Sequence, residues 1–289
     1  MAKDLLLIFY NTRSYKLACK HLKIATFKLK RFLSFNVTRL IIQRRKFMEL
    51  QKLLSPARRA VEQYKMIEEG DKIAVGLSGG KDSLALLEIM AGLKRFYPKH
   101  FDLYAITIDM GLEYDQKEIE AIKEKCNELN VEWIVEKTDI GPILFDIRKE
   151  SNPCSLCSKM RRGALCTTAI THGINKIALG HHADDLIETF FLSMFYEGRL
   201  STFAPVSFMS RTNMYVIRPM VLIEEKDITA FMKDKPVLHN PCPANKHTQR
   251  QYIKDLLNSI KKDIPFVKKR IHSAITHPER YNLFKVEEE

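Results

Sequence analysis

Apolar residues recur along this chain with two periods, one helical and one extended. Leu50, Leu53, Leu54, Ala57, Val61, Tyr64 and Ile67 keep helical spacing and predict an amphipathic helix from Glu49 to Glu69. Pro56 is its one irregularity, and Ser55-Pro56 reads as the start of a second part, because proline suits a first helical turn. Gly70-Asp71 closes it. Short apolar runs then predict strands starting at Lys72 and over Phe101–Asp109, Val131–Val135 and Lys176–Gly180, with Tyr215–Pro219 as a fifth candidate. Helical patterns follow at Leu84–Met90, Lys117–Asn130 and Asp184–Tyr196, and again near the end at Gln249–Ile260 and Phe266–Ile275. Strands alternating with helices predict an α/β fold: a Rossmann-like parallel sheet with helices on both faces, followed by a small helical C-terminal part. The expected organisation is a basic leader (1–47), an N-terminal helix (48–70), a sheet domain (71–222) and a helical region (223–289).

Composition changes this picture only at the N-terminus. The 289 residues are 45% hydrophobic and 28% charged, ordinary values for a soluble globular chain. The net charge of +12 is concentrated in residues 1–47, which hold twelve Lys and Arg and a single acid, Asp4. The remainder has 35 basic and 34 acidic residues, so bulk charge does not name a partner, and a large polyanionic ligand would need a local basic patch. The leader has neither Gly nor Pro and no clean period. An RNA-binding arm, a targeting segment and a stretch outside the native reading frame compete as explanations. The third is favoured: Arg44-Arg45-Lys46-Phe47-Met48 back-translates to a purine-rich ribosome-binding sequence ahead of a start codon, which makes Met48 the expected native start. Six cysteines in a chain this long do not form a secreted disulfide framework. No run approaches the roughly 18 apolar residues of a membrane span, and Leu5–Tyr10 is too short for a signal-peptide core. A cytoplasmic location with no membrane contact is expected.

The first candidate chemistry follows the first strand, at Ser78-Gly79-Gly80-Lys81-Asp82-Ser83. A glycine turn opening a helix presents backbone N–H groups and the positive end of the helix dipole. Ser78 and Ser83 add hydroxyls and Lys81 a charge, so the segment reads as a polyphosphate cradle. It is not a Walker A loop, whose glycine spacing is longer. Asp109 and Gly180-His181, also at strand C-terminal ends, lie where open α/β sheets bind ligands.

Cys154-Ser155-Leu156-Cys157, after Asn152-Pro153, reads as a tight loop whose two thiolates clasp one metal or cluster. Zinc, redox exchange and iron–sulfur all remain open for such a pair. Cys242, on a proline-flanked loop, is the third candidate. Three cysteines suit a [4Fe–4S] cluster with one iron left open, whereas zinc needs a fourth ligand, for which His239 and His247 are available. Cys126 and Cys166 fall on packed helical faces, Cys166 close enough to the pair for a sulfur-carrying role to be weighed. In Gly180-His181-His182-Ala183-Asp184-Asp185, Asp184 is expected to cap the following helix, and the two acids and two imidazoles also suit Mg²⁺ coordination or proton transfer. Lys159, Arg161 and Arg162, joined by Arg199 and Arg250, form a candidate basic patch for an RNA backbone, against the plainer reading of solvated helix faces.

Taken in order, SGGKDS, CSLCSKMRRG, GHHADD and Pro241-Cys242 ahead of Gln249-Arg250-Gln251 resemble the tRNA 2-thiocytidine synthetases, the TtcA-type tRNA sulfurtransferases of the PP-loop ATP pyrophosphatases. The resemblance covers about residues 48–265. Lysidine synthetases share the PP-loop without this cysteine triad, and thiouridine synthetases of tRNA carry further C-x-x-C pairs that this chain does not have. The resemblance implies ATP as substrate at Ser78, Gly79, Gly80, Lys81, Asp82, Ser83, Asp109, Gly180 and His181, and a [4Fe–4S] cluster on Cys154, Cys157 and Cys242. It further implies Mg²⁺, with Asp184 or Asp185 as its ligand or as a base and Arg161 as a catalytic cation, and tRNA contacts from Lys159, Arg162, Arg199 and Arg250. The implied partners are a tRNA anticodon loop, a sulfur donor such as a cysteine desulfurase, and a second copy in a homodimer. The implied reaction adenylates the C2 oxygen of cytidine 32, releasing pyrophosphate, and sulfide then displaces AMP. Thiolation of a uridine, a zinc-containing PP-loop ligase and an ATP-gated iron–sulfur sensor are the alternatives.

Overall fold

The computed structural model describes residues 48–148, 153–239, 241–242, 249–281 and 283. The leader, Asn152 and His247 lie outside the described residues. The chain divides into two units, Met1–Gln51 and Lys52–Glu289, and the second, described here, holds both the sheet and the C-terminal helices.

Six strands make up the sheet: β1 (Asp71–Gly76), β2 (Phe101–Asp109), β3 (Glu132–Lys137), β4 (Lys176–Ala178), β5 (Val206–Met209) and β6 (Met214–Ile217). Their order is β3-β2-β1-β4-β6-β5. All neighbours run parallel except the β5–β6 pair, which is an antiparallel hairpin. The fold is α/β and Rossmann-like. From β1 the chain moves outward through β2 and β3, then returns to place β4 on the other side of β1. That reversal opens a crevice above the C-terminal ends of β1 and β4, where the glycine turn and the Gly180-His181 segment emerge.

The helices in this unit begin with α1, whose turns here cover 52–63, and α2 (Lys81–Phe96), α3 (Gln116–Glu128) and the short α4 (Ile140–Pro142). Then come α5 (Pro153–Thr171), α6 (Ala183–Glu197), α7 (Glu225–Met232), α8 (Gln249–Asp263) and α9 (Val267–Thr276). Strand residues alternate between faces. Ala74, Ile106, Ile177 and Met214 turn to Leu165, Cys166 and Ala169 of α5, while Ile73 and Val75 are fully buried toward the other face and α2 packs on β1 and β2. A third cluster joins Ile187 and Phe191 of α6 to Ile253 and Leu257 of α8 and to Ile271 and Ile275 of α9. No helix among the described residues is long and apolar enough to cross a membrane.

Four expectations need correction. The first helix ends at residue 63 rather than 69, and it runs through Pro56 without a second start. Its end is a left-handed cap on Lys65 (φ 49°), with Met66 N–H bonded to Val61 O and Lys65 N–H to Glu62 O. Without a glycine there, the cap left no sequence signal. Cys154 and Cys157 sit not on a loop but in the first turn of α5, where Pro153 takes the position that proline favours. Asp184 is not the cap of α6. His182 is, in a reciprocal box: its ring accepts from Asp185 N–H while Asp185 Oδ2 accepts from His182 N–H. Finally, β5 is a strand the hydrophobic pattern did not reveal, being short and half exposed.

Candidate nucleotide and cysteine site

The glycine turn is built by contact. Gly79 has φ +78°, and a Cβ there would lie 2.6 Å from Leu238 Cβ. Leu238 N–H also donates to Gly79 O at 2.8 Å, so the segment leading to Cys242 rests directly on the turn. Gly180 is equally constrained: a Cβ would meet the backbone of Asp82 at 3.1 Å and Ser83 N at 3.3 Å. Ser78 Oγ donates to Ser83 Oγ (3.1 Å), which donates to Gly80 O (2.9 Å). Helix α2 has Gly80 at its N-cap and so no side-chain cap. Its first N–H groups therefore face the crevice unsatisfied by side chains, as an anion site requires.

Lys81 Nζ contacts Asp82 Oδ1 (2.8 Å) and Glu225 Oε1 (3.1 Å). Burial works to lower its pKa, but the two carboxylates prevail and hold it above the ordinary lysine value. Glu225 is shared with Lys254 at 2.7 Å, and Glu225 N–H donates to Asp184 Oδ2 (2.7 Å). Asp184 Oδ1 takes Lys268 (2.9 Å). Burial pushes the Asp184 carboxyl up, yet these donors bring it below its usual value. Asp185 is occupied by the capping box and by Arg250 at 3.5 Å. Arg250 also holds buried Glu188 (3.1 Å) and Thr189 (3.2 Å), so it fastens α8 onto α6. Arg199 is exposed and paired with Glu197.

Above the strand ends lies a cavity of about 460 Å³. Its floor includes Gly76–Gly80, and its walls include Asp109, Tyr114, Trp133, Arg161, Arg162 and His181. Ile106, Ile108, Ile122, Val135 and Leu179 make it largely apolar, suited to a flat base. Trp133 is fixed by its Nε1–H bond to Thr107 Oγ1 (2.8 Å). The His181 imidazole is driven down to about 4 by burial, aided by Arg218, Arg250 and His182 and opposed by Asp185, so it is neutral at physiological pH.

The cavity lining includes Ser158, next to Cys157 in α5, and Pro241, next to Cys242, while the three cysteines themselves are not among the lining residues. Cys154 is exposed, and Cys157 and Cys242 are half-buried. Burial raises the Cys157 thiol. The Arg161 charge pulls it back, and Cys242 and Cys154 push it up again, so the three thiols lie within electrostatic reach of one another. Cys157 Sγ also meets Met110 Sδ at 3.8 Å, above a small core of Met110, Ile140 and Leu144. Among the described residues no three His, Cys, Asp or Glu side chains are gathered as they would be around a single metal ion. His239, considered as a fourth ligand, is clipped to Glu118 by both its ring and its N–H. Cys126 is fully buried with its thiol pushed up to about 11 by burial, and Cys166 is packed against Met209 at 3.9 Å. Lys159 and Arg162 are exposed on α5.

Sequence reading did not single out Leu238, Glu225, Lys254, Lys268, Trp133 or Tyr114. Each acts through a long-range contact or a cavity position that no local motif encodes.

The chain matches the PP-loop domain family over residues 48–260. It is 40% identical over 231 residues to the tRNA-cytidine(32) 2-sulfurtransferase of Geotalea uraniireducens (strain Rf4), covering 78% of this chain and 91% of that protein. It is 41% identical over 210 residues to the protein of the same name from Aliivibrio fischeri (strain MJ11), covering 71% of this chain and 68% of that one. Among solved structures, the U34-tRNA thiolase NcsA from Methanococcus maripaludis with its [4Fe-4S] cluster has the same fold, with a TM-score of 0.66, 22% identity and coverage of 84% and 82%. On the strength of its fold, its PP-loop and these relatives, the chain belongs to the tRNA-cytidine(32) 2-sulfurtransferase family of PP-loop proteins.

Proposed function

We propose that this protein is an ATP-dependent tRNA sulfurtransferase that replaces the C2 oxygen of cytidine 32 with sulfur. The observation that supports this most is a cavity lined both by the PP-loop and by Ser158, Arg161 and Pro241, which lie in sequence beside Cys157 and Cys242. Activation and sulfur delivery belong in one enclosed volume, because water competes for an activated carbon. The relatives named for this reaction support cytidine 32 as the target.

The chain's residues then divide the work. The base oxygen attacks the α-phosphorus, the bond to the bridging oxygen breaks, and pyrophosphate leaves with the electron pair. The uncapped start of α2, Ser78, Ser83 and Lys81 face the charge that builds on it. Lys81 is already held as a cation, and the phosphates take the place of its contact with Glu225. Sulfide next displaces AMP from C2. Cys154, Cys157 and Cys242 would hold a [4Fe–4S] cluster, which would supply a place for the sulfur. Arg161, whose charge favours the Cys157 thiolate and which lines the cavity, keeps the thiol end of the site electropositive. Magnesium enters as the counter-ion of the triphosphate. Asp184 and Asp185, considered for it, already have their oxygens engaged with Glu225, Lys268 and His182. Lys159 and Arg162, on the exposed face of α5, take the RNA backbone, whereas Arg250 has a structural post. We extend the proposal to a cysteine desulfurase as sulfur donor, a homodimer and a cytoplasmic site of action.

The test is a product analysis with protein purified without oxygen, given ATP, sulfide and tRNA. AMP and pyrophosphate formed in equal amounts, and only with tRNA present, is the expected result. ADP and phosphate, or nucleotide turnover indifferent to tRNA, contradicts it.

A further inference from the structure

Outside residues 1–47 the chain is nearly neutral, but its charge is unevenly placed. Residues 48–248 hold 27 Lys and Arg against 31 acids, whereas residues 249–281 hold eight against three. The part that carries the cavity is therefore slightly acidic, and the helices beside it are basic. Within those helices the cations gather at one hairpin. Lys261 and Lys262 lie in the last turn of α8, and Lys268, Lys269 and Arg270 near the start of α9. Between the helices stand Ile264, Pro265 and Phe266 alone. Val267 N–H bonds Ile264 O at 3.0 Å and Arg270 N–H bonds Phe266 O at 3.1 Å, so the connection is tight. Ile253 and Leu257 of α8 pack with Ile271 and Ile275 of α9 and fix the two helices together.

Asp263 is the one acid among these five cations. Like charges held this close repel, and cations at the start of a helix also oppose its dipole. Lys268 is answered by Asp184 (2.9 Å) and Lys269, loosely, by Glu224 at 3.8 Å. Lys261, Lys262 and Arg270 are exposed and have no ion pair among the described residues. Phe266 at the turn is 62% exposed, so the tip of the hairpin is open surface. Its position relative to the PP-loop is fixed by ion pairs. Lys254 on α8 lies 2.7 Å from Glu225, which also meets Lys81 at 3.1 Å. Lys261 follows Lys254 by two turns, about 10 Å along the helix. Asp184, the partner of Lys268, stands at the start of α6 after the His181 segment.

We propose that the α8–α9 hairpin is a docking surface for the tRNA backbone, with Lys261, Lys262, Lys269 and Arg270 as its phosphate contacts. The inference rests on the tRNA reading above and extends it from the cavity to the surface that carries the rest of the RNA. A loop base that enters the cavity leaves its flanking backbone outside. The slightly acidic body repels that backbone, and the hairpin, tied to Lys81 through Glu225 and Lys254, offers it cations close to the PP-loop. Exposed side chains on long flexible stems suit phosphates, which position an RNA, rather than base edges, which specify its sequence. The hairpin thus holds any tRNA alike and leaves the choice of base to the cavity.

The test is tRNA binding to the full chain purified without oxygen, by fluorescence anisotropy across about 50 to 200 mM salt. Two double variants, Lys261→Gln with Lys262→Gln and Lys269→Gln with Arg270→Gln, are compared with wild type. Lys94→Gln with Arg95→Gln, exposed at the end of α2 away from the PP-loop, removes the same charge elsewhere. Residues 1–47 are present in every protein and contribute equally to each salt slope. Two lost phosphate contacts flatten the slope of log affinity against log salt by about 1.4–1.8, so the affinity lost across that range shrinks about 10-fold. Each hairpin variant is expected to show this with any tRNA, and to bind ATP and pyrophosphate unchanged. The α2 variant is expected to match wild type. Hairpin variants that behave as the α2 variant does overturn the proposal. So does binding of wild type to phosphatidylglycerol vesicles that the hairpin variants lose while their tRNA slopes stay, which assigns the tip to a lipid surface. A wild type that binds ATP but no tRNA overturns the tRNA reading itself, and this inference with it.

Discussion

At the scale of single residues, the site depends on atoms that are missing as much as on those present. Gly79 combines a positive φ with contact against Leu238, so Gly79→Ala is strained twice over. It should lower stability by roughly 1–3 kcal/mol and weaken ATP binding, read by thermal denaturation and by nucleotide titration. Normal stability with normal ATP affinity would mean that the turn tolerates a side chain. His239 gives a pH-dependent contact. Glu118 raises the His239 pKa, and the same pair lowers that of Glu118. The histidine contribution is fully present below its unfolded value near 6.5 and fades as pH rises through the raised one. The glutamate contribution is present above about 4.5 and fades as pH falls. The stability difference between wild type and His239→Gln is therefore expected to peak between about pH 4.5 and 6.5 and to vanish at alkaline pH. A difference that grows toward pH 9 would contradict the pairing.

At the scale of elements, the sequence conveyed what periodicity and turn chemistry encode, and little else. The β2 boundaries, Phe101–Asp109, were legible because an apolar run ends abruptly at an acid. The C-terminal helices were legible from their strong two-sided pattern. The end of α1 was not, because Tyr64 and Ile67 keep helical spacing beyond the last helical residue, 63, on either side of a cap made by lysine in place of glycine. Asp184 could be read as a cap or a metal ligand, since its partners, Glu225 and Lys268, are far away in sequence. It ties the start of α6 to α7 and α9. Asp184→Ala should therefore cost roughly 2–3 kcal/mol, through two donors left unsatisfied, and Asp184→Asn should cost less by keeping the Glu225 bond. Denaturant unfolding of the two variants checks this. If Asp184→Ala folds as stably as wild type and loses activity that added magnesium restores, the metal-ligand role stands instead.

At the scale of the whole molecule, the strand order places the PP-loop and the His181 segment on either side of one crevice, and Ser158 of α5 and Pro241, sequence neighbours of Cys157 and Cys242, line the same cavity. The motifs were visible in the sequence as separate pieces, Ser78–Ser83, Cys154–Cys157 and Cys242. Their convergence was not, because it depends on the β1–β4 reversal and on Leu238 packing over Gly79. The account makes that convergence the basis of function: one cavity in which a base is activated by ATP and receives sulfur. The most direct measurement is mass analysis of nucleosides from tRNA treated with the anaerobic protein, ATP and sulfide, with Cys242→Ala and Lys81→Ala alongside. The account predicts 2-thiocytidine at position 32 with wild type, and none above background with either variant. Unmodified tRNA from a wild-type protein that holds its cluster and consumes ATP, or thiolation that survives Cys242→Ala, would contradict it.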